Sequence, residues 1–173
     1  LPHRGEDGKA VKPRHHHVQD NQVGALGADG CQALFSVSGH VNRPGVYEIP
    51  MGTPFARLLE MCGGMRGGRK LKACIPGGSS MPVLPGDVMM ACDMDYDSIA
   101  KAGSMLGSGA VIIMDETTCM VWAAMNLMHF YAHESCGKCT PCREGGDWLL
   151  KLLGRIEAGE GRMSDIDLLA HIA

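Results

Sequence analysis

The pattern of apolar and polar residues predicts that ordered structure begins with a β-hairpin. Residues 34–41, LFSVSGHV, and residues 46–49, VYEI, carry apolar side chains at the spacing of strands, and Gly39 marks a bend. Between these segments, NRPG places a proline and a glycine where a tight turn needs them. The two segments are therefore expected to pair as neighbouring strands.

A short helix is predicted directly after the hairpin. We expect Thr53 to cap it, because a hydroxyl accepts a free amide there, and Pro54 to occupy its first position. Gly63–Gly64 is expected to end the helix. Its predicted buried face consists of Phe55, Leu58, Leu59 and Cys62.

Further extended segments complete a small α+β unit. LKACIP, residues 71–76, is predicted to be a strand, and GAVIIMD, residues 109–115, is predicted to be a buried one. GGSS, residues 77–80, favours a tight turn, with a phosphate cradle as the alternative. Residues 81–94 are expected to add one or two short extended pieces. This order of elements indicates a β-grasp-like α+β domain, which we place at residues 31–116.

From residue 117 onward the pattern becomes helical, and residues 117–173 are assigned to a second, incomplete helical bundle. Its first helix, CMVWAAMNLMHFYAH, is apolar nearly all round. The exception is one polar stripe at helical spacing, formed by Asn126, His129 and His133.

Two more helices are predicted after a loop that contains cysteines. Thr140 is expected to cap the second helix, Pro141 to open it, and GEG at 159–161 to end it. Ser164 is expected to cap a third helix, whose sequence DIDLLAHIA runs to the last residue. The predicted apolar face of the second helix comprises Trp148, Leu149, Leu152, Leu153 and Ile156.

Composition and charge exclude some classes of function. The 173 residues carry a formal net charge of −3 and a pI near 6.2, which give no electrostatic basis for binding nucleic acid. No stretch has the roughly 18 uncharged apolar residues of a membrane span, because Asp115 and Glu116 interrupt the longest apolar run. Residues 1–30 are rich in Gly, Pro, His and charge, so we expect disorder there, with His15–His17 in a solvated tail. Since the chain begins with Leu1 and lacks the apolar core of a signal peptide, we expect a fragment.

The candidate chemistry lies in ESCGKCTPC. Cys136, Cys139 and Cys142 follow a C-x2-C-x2-C spacing while the other cysteines are scattered, which favours a reduced compartment and one metal or cluster site. Each two-residue interval returns a thiolate to the same side of the loop, as three corners of a 4Fe–4S cluster require. Structural zinc is the alternative, although zinc sites use paired C-x2-C arms and no second arm occurs here. That the three are ordinary buried or surface cysteines, which bind no metal, is a weaker interpretation.

The residues around the loop suit an anionic cluster. Cys142 is expected at the second position of a helix, where free amides and the helix dipole favour negative charge. Lys138 and Arg143 add positive charge nearby, and Gly137 lets the backbone approach the cluster closely. Three thiolates leave one ligand unassigned, and the residues alone leave three candidates for it: His133, Cys119 and Cys92.

ESCGKCTPCREG resembles the cluster loop of the NADH-binding flavoprotein subunit of respiratory complex I. Upstream, SVSGHVNRPGVYE, IPGGSS, MDYDS and GSGAVIIMD resemble the soluble-ligand-binding β-grasp domain of that family, so the resemblance runs from about Leu34 to the end. It implies that Cys136, Cys139 and Cys142 bind a 4Fe–4S cluster whose fourth cysteine lies beyond Ala173. No G-x-G-x-x-G follows a strand and opens a helix here. FMN and NADH are therefore expected in the parent protein only, with no catalytic residue in this chain.

The resemblance also implies a function for the parent protein. Such an enzyme oxidises NADH through FMN and passes single electrons through the cluster toward quinone. It lies peripherally, without inserting directly into the membrane, on the cytoplasmic face of the inner membrane (the matrix side in mitochondria). Its expected partners are the 2Fe–2S subunit and the large iron–sulfur subunit of the complex. The alternatives are a flavoprotein subunit of an NAD-linked hydrogenase or formate dehydrogenase, and a β-grasp binding module with structural zinc.

Overall fold

The computed structural model describes residues 32–173, in which a five-stranded mixed sheet is accompanied by six α-helices. Predictions for residues 1–30, including the histidine run, and for Cys31 lie outside the described residues. The strands are β1 Gln32–Gly39, β2 Gly45–Pro50, β3 Leu71–Ile75, β4 Leu84–Pro85 and β5 Ala110–Asp115. The α-helices are α1 Phe55–Met61, α2 Gly86–Met90, α3 Tyr96–Lys101, α4 Met120–Glu134, α5 Gly146–Glu157 and α6 Met163–Ile172. A 3₁₀ turn at Arg66–Gly68 and a π-helical turn at Pro141–Gly145 precede β3 and α5, respectively.

The sheet confirms the predicted α+β class and the predicted hairpin. Its strands lie in the order β2-β1-β5-β3-β4, with β1 antiparallel to β2 and parallel to β5. β3 pairs antiparallel with both β5 and β4. Gly39 ends β1 at φ 92°, and a Cβ there would lie 2.1 Å from the carbonyl oxygen of Ile113. Glycine is therefore required where β1 passes the backbone of β5.

Alternate residues of the central strands serve two apolar clusters on opposite faces of the sheet. On β5, Val111 and Ile113 join the main core, whereas Met114 joins the smaller cluster. The main core also contains all four residues of the predicted face of α1, which confirms that prediction. The smaller cluster combines Ala73, Ile75 and Met114 with partly buried residues that include Met120, Ala123 and Leu127 of α4. Helix α4 thus covers the second face of the sheet, and the two belong to one compact unit.

The structure overturns the predicted cap of α1 and confirms the prediction for residues 81–94 only in part. Thr53 does not cap α1, because its hydroxyl donates at 2.6 Å to the carbonyl oxygen of Pro50 within a tight turn, and α1 begins at Phe55. Within residues 81–94, expected to give one or two short extended pieces, Leu84–Pro85 is extended as β4, whereas residues 86–90 form α2, which buries only Gly86 and Met89. Short apolar runs of this kind do not distinguish a helix from a strand.

The start of the last helix also differs from the prediction. Ser164 does not cap α6, which begins at Met163 with Arg162 as the preceding residue. The backbone N–H of Arg162 donates at 2.8 Å to the carboxylate of Asp165, and Arg155 contacts the same carboxylate. These contacts, led by the backbone hydrogen bond from Arg162, hold the pKa of Asp165 below its usual value. The carboxylate of Asp165, in the first turn of α6, therefore accepts from the amide of the residue that precedes the helix.

Candidate metal centre

The three cysteines lie in and directly after the loop that follows α4. Cys136 and Cys139 belong to that loop, and Cys142 is the second residue of the π-helical turn that leads into α5. All three thiols are exposed. Within residues 32–173, no group of three or more His, Cys, Asp or Glu residues is arranged around a position for one metal ion.

Backbone geometry explains how the chain turns between the cysteines. Gly137 has φ 73°, in the left-handed region that glycine adopts without strain. The amide of Arg143 donates at 2.9 Å to the carbonyl oxygen of Cys139, so helical winding begins there. Thr140 is consequently already helical, with φ −56° and ψ −46°, and makes no capping hydrogen bond. The prediction that Thr140 caps this helix is wrong, whereas the predicted start at Pro141 is confirmed.

Arg143 and Lys138 are the two cations near the cysteines, and the contacts of Arg143 organise the loop. Arg143 donates from Nη1 to the carbonyl oxygen of Gly137 at 2.8 Å and from Nε to the carboxylate of Glu144 at 2.8 Å. It therefore closes the loop across the interval between the first and third cysteines. Lys138 is exposed within the loop. The three cysteines supply soft sulfur ligands, and the glycine turn lets the backbone approach them closely. Together with the positive charges of Lys138 and Arg143, these features fit an anionic iron–sulfur cluster.

Ser135 is a further member of this site that sequence reasoning missed. Its Oγ lies 3.3 Å from Sγ of Cys142 and accepts a hydrogen bond, also at 3.3 Å, from the amide of Gly137. The one signal available in the sequence was its place directly before the first cysteine, which says nothing about contact with the third.

Two of the three candidates for the fourth ligand lie away from the loop. Cys92 is buried in the main core, where its thiol donates to the carbonyl oxygen of Val88 at 3.3 Å. Cys119 precedes α4, whose 15 residues span about 22 Å at about 1.5 Å each, and its thiol lies 3.5 Å from the carboxylate of Glu157. His133 is in the last turn of α4, exposed, with Nδ1 3.0 Å from the carboxylate of Glu134.

The predicted polar stripe on α4 is confirmed. Asn126, His129 and His133 are all exposed along one side of the helix. The stripe thus faces away from the sheet, as expected for a helix that lies against a protein surface.

The end of α4 that leads into the cysteine loop is attached to the GGSS segment. Oγ of Ser79 and the hydroxyl of Tyr131 are 2.6 Å apart. A Cβ on Gly77 would lie 2.3 Å from the carbonyl oxygen of Met105, so this glycine permits a close backbone approach. Among the described residues, the segment lines a cleft of about 560 Å³ whose other lining residues are three serines, Met81, Ala110 and Ile112. These contacts support the tight-turn interpretation, since no lysine or arginine lines the cleft to neutralise a phosphate.

The other end of α4 follows a turn organised by Asp115, at the end of β5. Asp115 is fully buried and accepts hydrogen bonds from Oγ1 of Thr117 at 2.6 Å, from the Thr117 amide at 3.0 Å and from Arg69 at 3.0 Å. Nδ1 of His40 lies 3.1 Å away. The Thr117 hydroxyl, followed by Arg69 and His40, holds the pKa of Asp115 well below its usual range although burial opposes this. In the sequence, Asp115 was notable only as a charge that interrupts an apolar run.

Comparisons with known families match two parts of the chain. Residues 34–84 match the SLBB domain, and residues 122–173 match the NADH-ubiquinone oxidoreductase-F iron-sulfur binding region. No helix within residues 32–173 is long and apolar enough to cross a membrane.

Curated relatives match about four-fifths of the chain. The F-type subunit of NADH-quinone oxidoreductase from Streptomyces coelicolor is 55% identical over 140 residues, which are 81% of this chain and 31% of that protein. An F-type subunit of the same enzyme from Rhizobium meliloti is 53% identical over 79% of this chain and 32% of that protein. The chain therefore spans about a third of the length of these relatives.

A solved structure with a similar fold is that of an NAD+-reducing NiFe hydrogenase in its H2-reduced state. The similarity has a TM-score of 0.69 and 31% sequence identity, and it covers 82% of this chain and 23% of the hydrogenase chain. The fold is therefore shared beyond proteins that carry the quinone oxidoreductase name.

Proposed function

This chain belongs to the family of F-type NADH-quinone oxidoreductase subunits, and from that premise we propose that it carries a 4Fe–4S cluster on Cys136, Cys139 and Cys142. The observation that carries the proposal is that the three cysteines lie within the stretch that matches an iron-sulfur binding region. The stretch that matches an iron-sulfur binding region, residues 122–173, contains three exposed thiols on one loop beside two cations. The fourth ligand, by this proposal, is a cysteine beyond Ala173.

The residues of this chain would bind and orient the cluster. When bound, a 4Fe–4S cluster accepts and releases one electron at a time. Cys136, Cys139 and Cys142 would each supply one thiolate, while Arg143 keeps the loop closed through the carbonyl oxygen of Gly137. The positive charges of Lys138 and Arg143 would offset part of the negative charge of the thiolates.

The activity of the whole protein is proposed from its relatives. We propose that the parent protein oxidises NADH through FMN and passes electrons through the cluster toward quinone; the name of its relatives supports NADH and quinone as the reactants. A flavin is needed because hydride transfer moves two electrons and a cluster accepts one. We assign FMN and NADH to parts of the parent protein outside this chain, and we assign no catalytic residue within it.

Partners, location and domain boundaries are further parts of the proposal. We propose contact with the 2Fe–2S subunit and the large iron–sulfur subunit, in a peripheral position on the cytoplasmic face of the inner membrane. We also propose domains at residues 31–116 and 117–173, with residues 1–30 unassigned. The boundary is supported by the turn at Asp115, which separates the sheet from α4.

A role in an NAD-linked hydrogenase is the second candidate. The observation in its favour is the similarity to the NAD+-reducing NiFe hydrogenase. The identity of 31% in that comparison is well below the 55% shared with the relative from Streptomyces coelicolor, so the quinone oxidoreductase is preferred.

Anaerobic reconstitution with ferrous iron and sulfide tests the cluster. We expect a brown protein with bound iron and sulfide, and we expect Cys139→Ser to lose most of both because two thiolates do not fix a cluster. Cys119→Ser is the matched control, since Cys119 is also exposed but lies at the far end of α4. A colourless chain that binds zinc through the three cysteines would replace the proposal with the zinc-binding module.

A further inference from the structure

If Cys142 binds iron, only Ser135 can be the donor in the hydrogen bond between the two residues. Oγ and Sγ are 3.3 Å apart, and either atom could be the donor when both carry a proton. A thiolate bound to iron has no proton, so the hydroxyl must then donate. Ser135 is thus poised to donate a hydrogen bond to the sulfur.

The surrounding backbone orients the Ser135 hydroxyl for this role. The amide of Gly137 donates to Oγ of Ser135 at 3.3 Å, which occupies a lone pair and leaves the O–H free to donate. Gly137 is held in turn, because its carbonyl oxygen accepts a hydrogen bond from Arg143 at 2.8 Å. The contact therefore belongs to a connected set of hydrogen bonds rather than to one freely rotating side chain.

We infer that Ser135 is a positioning residue that donates a hydrogen bond to the Cys142 thiolate and thereby raises the reduction potential of a cluster bound there. This inference rests on the proposed function. Reduction adds negative charge to the cluster and its sulfur ligands, so a donor to a thiolate stabilises the reduced state more than the oxidised state. Hydrogen bonds to sulfur are among the factors through which a protein adjusts the potential of such a cluster.

The test is a redox titration of the reconstituted chain, with an added small thiol to ligate the fourth iron. We expect Ser135→Ala to shift the one-electron reduction equilibrium about fivefold toward the oxidised cluster, which is about 40 mV at 59 mV per tenfold. Ser135→Thr keeps the hydroxyl and should restore the potential. Thr140→Val is the matched control, because Thr140 lies between the second and third cysteines and makes no capping hydrogen bond.

A vibrational measurement provides a second, independent readout. In resonance Raman spectra, an Fe–S(Cys) stretch should shift in D2O for the wild-type chain and for Ser135→Thr, and this shift should shrink in Ser135→Ala. A purely structural role would leave that difference unchanged. If Ser135→Ala loses the cluster, the D2O shift in the other two proteins decides the question.

The possible results distinguish a failure of the inference about Ser135 from a failure of the proposed function. A wild-type chain that takes up no iron and sulfide refutes the proposed function. A full cluster with an unchanged potential in Ser135→Ala, or a wild-type Fe–S stretch insensitive to D2O, overturns the role of Ser135 while the proposed function stands.

Discussion

The sheet region, residues 32–115, and the helical region, residues 120–173, differ most in what they bury. Among the described residues, every buried apolar side chain except Leu152 lies between Phe35 and Met114. Helix α4 contains no buried residue, and Trp122 and Trp148 are each about half exposed, at 50% and 54%. The sheet region therefore has a core of its own, whereas Leu152 is the one buried apolar residue of the helical region.

This difference shows that a similar apolar content can have two structural roles. In the sheet region the apolar residues exclude water and provide most of the stabilisation. In the helical region every apolar residue except Leu152 is partly or fully exposed. The order of the helical region must then depend on its contact with the sheet and on its cysteine loop.

The largest effect is expected from a matched pair of phenylalanines. Phe55 is fully buried in the main core, and Phe130 on α4 is 53% exposed. Phe55→Ala should lower the free energy of unfolding by about 3–5 kcal/mol, and Phe130→Ala by less than about 1 kcal/mol. Urea denaturation followed by circular dichroism measures both. Equal losses would show that the helical region has a core comparable to that of the sheet region.

Acid should reveal a second difference, through two carboxylates whose pKa values are lowered in the folded protein. Asp115 anchors the sheet region and Asp165 anchors α6, and the pKa of each is below its unfolded value. Their contribution is therefore present above the unfolded pKa of about 3.9 and is lost as the pH falls below it. Asp115→Asn should lower the stability of the sheet region at neutral pH and weaken its dependence on pH below about 4.

The matched variant for this prediction is Asp165→Asn, which should affect α6 alone. Amide exchange of the two regions, measured between neutral pH and about pH 3, separates local from global effects. If Asp165→Asn loosened the sheet region as well, the two regions would be one cooperative unit.

Proteolysis of the iron-free chain should sharpen the same contrast. The cysteine loop joins α4 to α5 and has no core beneath it, so we expect cleavage in the helical region to be about tenfold faster than in the sheet region. A factor of ten corresponds to about 1.4 kcal/mol of opening free energy. Mass spectrometry of the fragments gives the rates, and loading with iron and sulfide is the control that should protect the helical region. Indistinguishable rates would contradict the dependence on the loop.

The smallest effect is expected where the two regions meet. Tyr131→Phe removes the hydrogen bond to Ser79, which should destabilise the last turn of α4 by about 1 kcal/mol. Hydrogen exchange of the amides in that turn measures the change. Tyr96→Phe is the control, because Tyr96 is 66% exposed at the start of α3. No difference between the two variants would mean that Tyr131 does not attach α4 to the sheet region.

Residue periodicity predicted the elements that are long or tightly buried. The hairpin, α1, β3, β5 and α4 follow from patterns that extend over five or more residues. Periodicity failed for α2 and α3, which are too short to establish a period. The signal for α3 was its cap, since Asp95 accepts from the amide of Ser98 at 2.6 Å. The pattern of α5 also located Trp148 on the apolar face, but it could not indicate that this residue stays 54% exposed within the described chain.

For the candidate site too, the sequence predicted features that depend on neighbouring residues and missed contacts between distant ones. The spacing of the cysteines predicted that one loop carries all three thiols, because that spacing is local. The contact of Ser135 with Cys142 depends on how the loop turns at Gly137, and the burial of Asp115 depends on Arg69, which is far away along the chain. Such contacts exist only after the chain has folded, so no pattern in the sequence reveals them.

Helix α4 has a consequence for the cluster that we propose on the cysteine loop. The turn at Asp115 attaches the start of α4 to the sheet, and the bond between Tyr131 and Ser79 attaches its end. A helix attached at both ends fixes the height of the loop above the sheet and restricts its thermal displacement. A cluster bound by this loop, as we propose, would therefore keep a constant distance from the sheet.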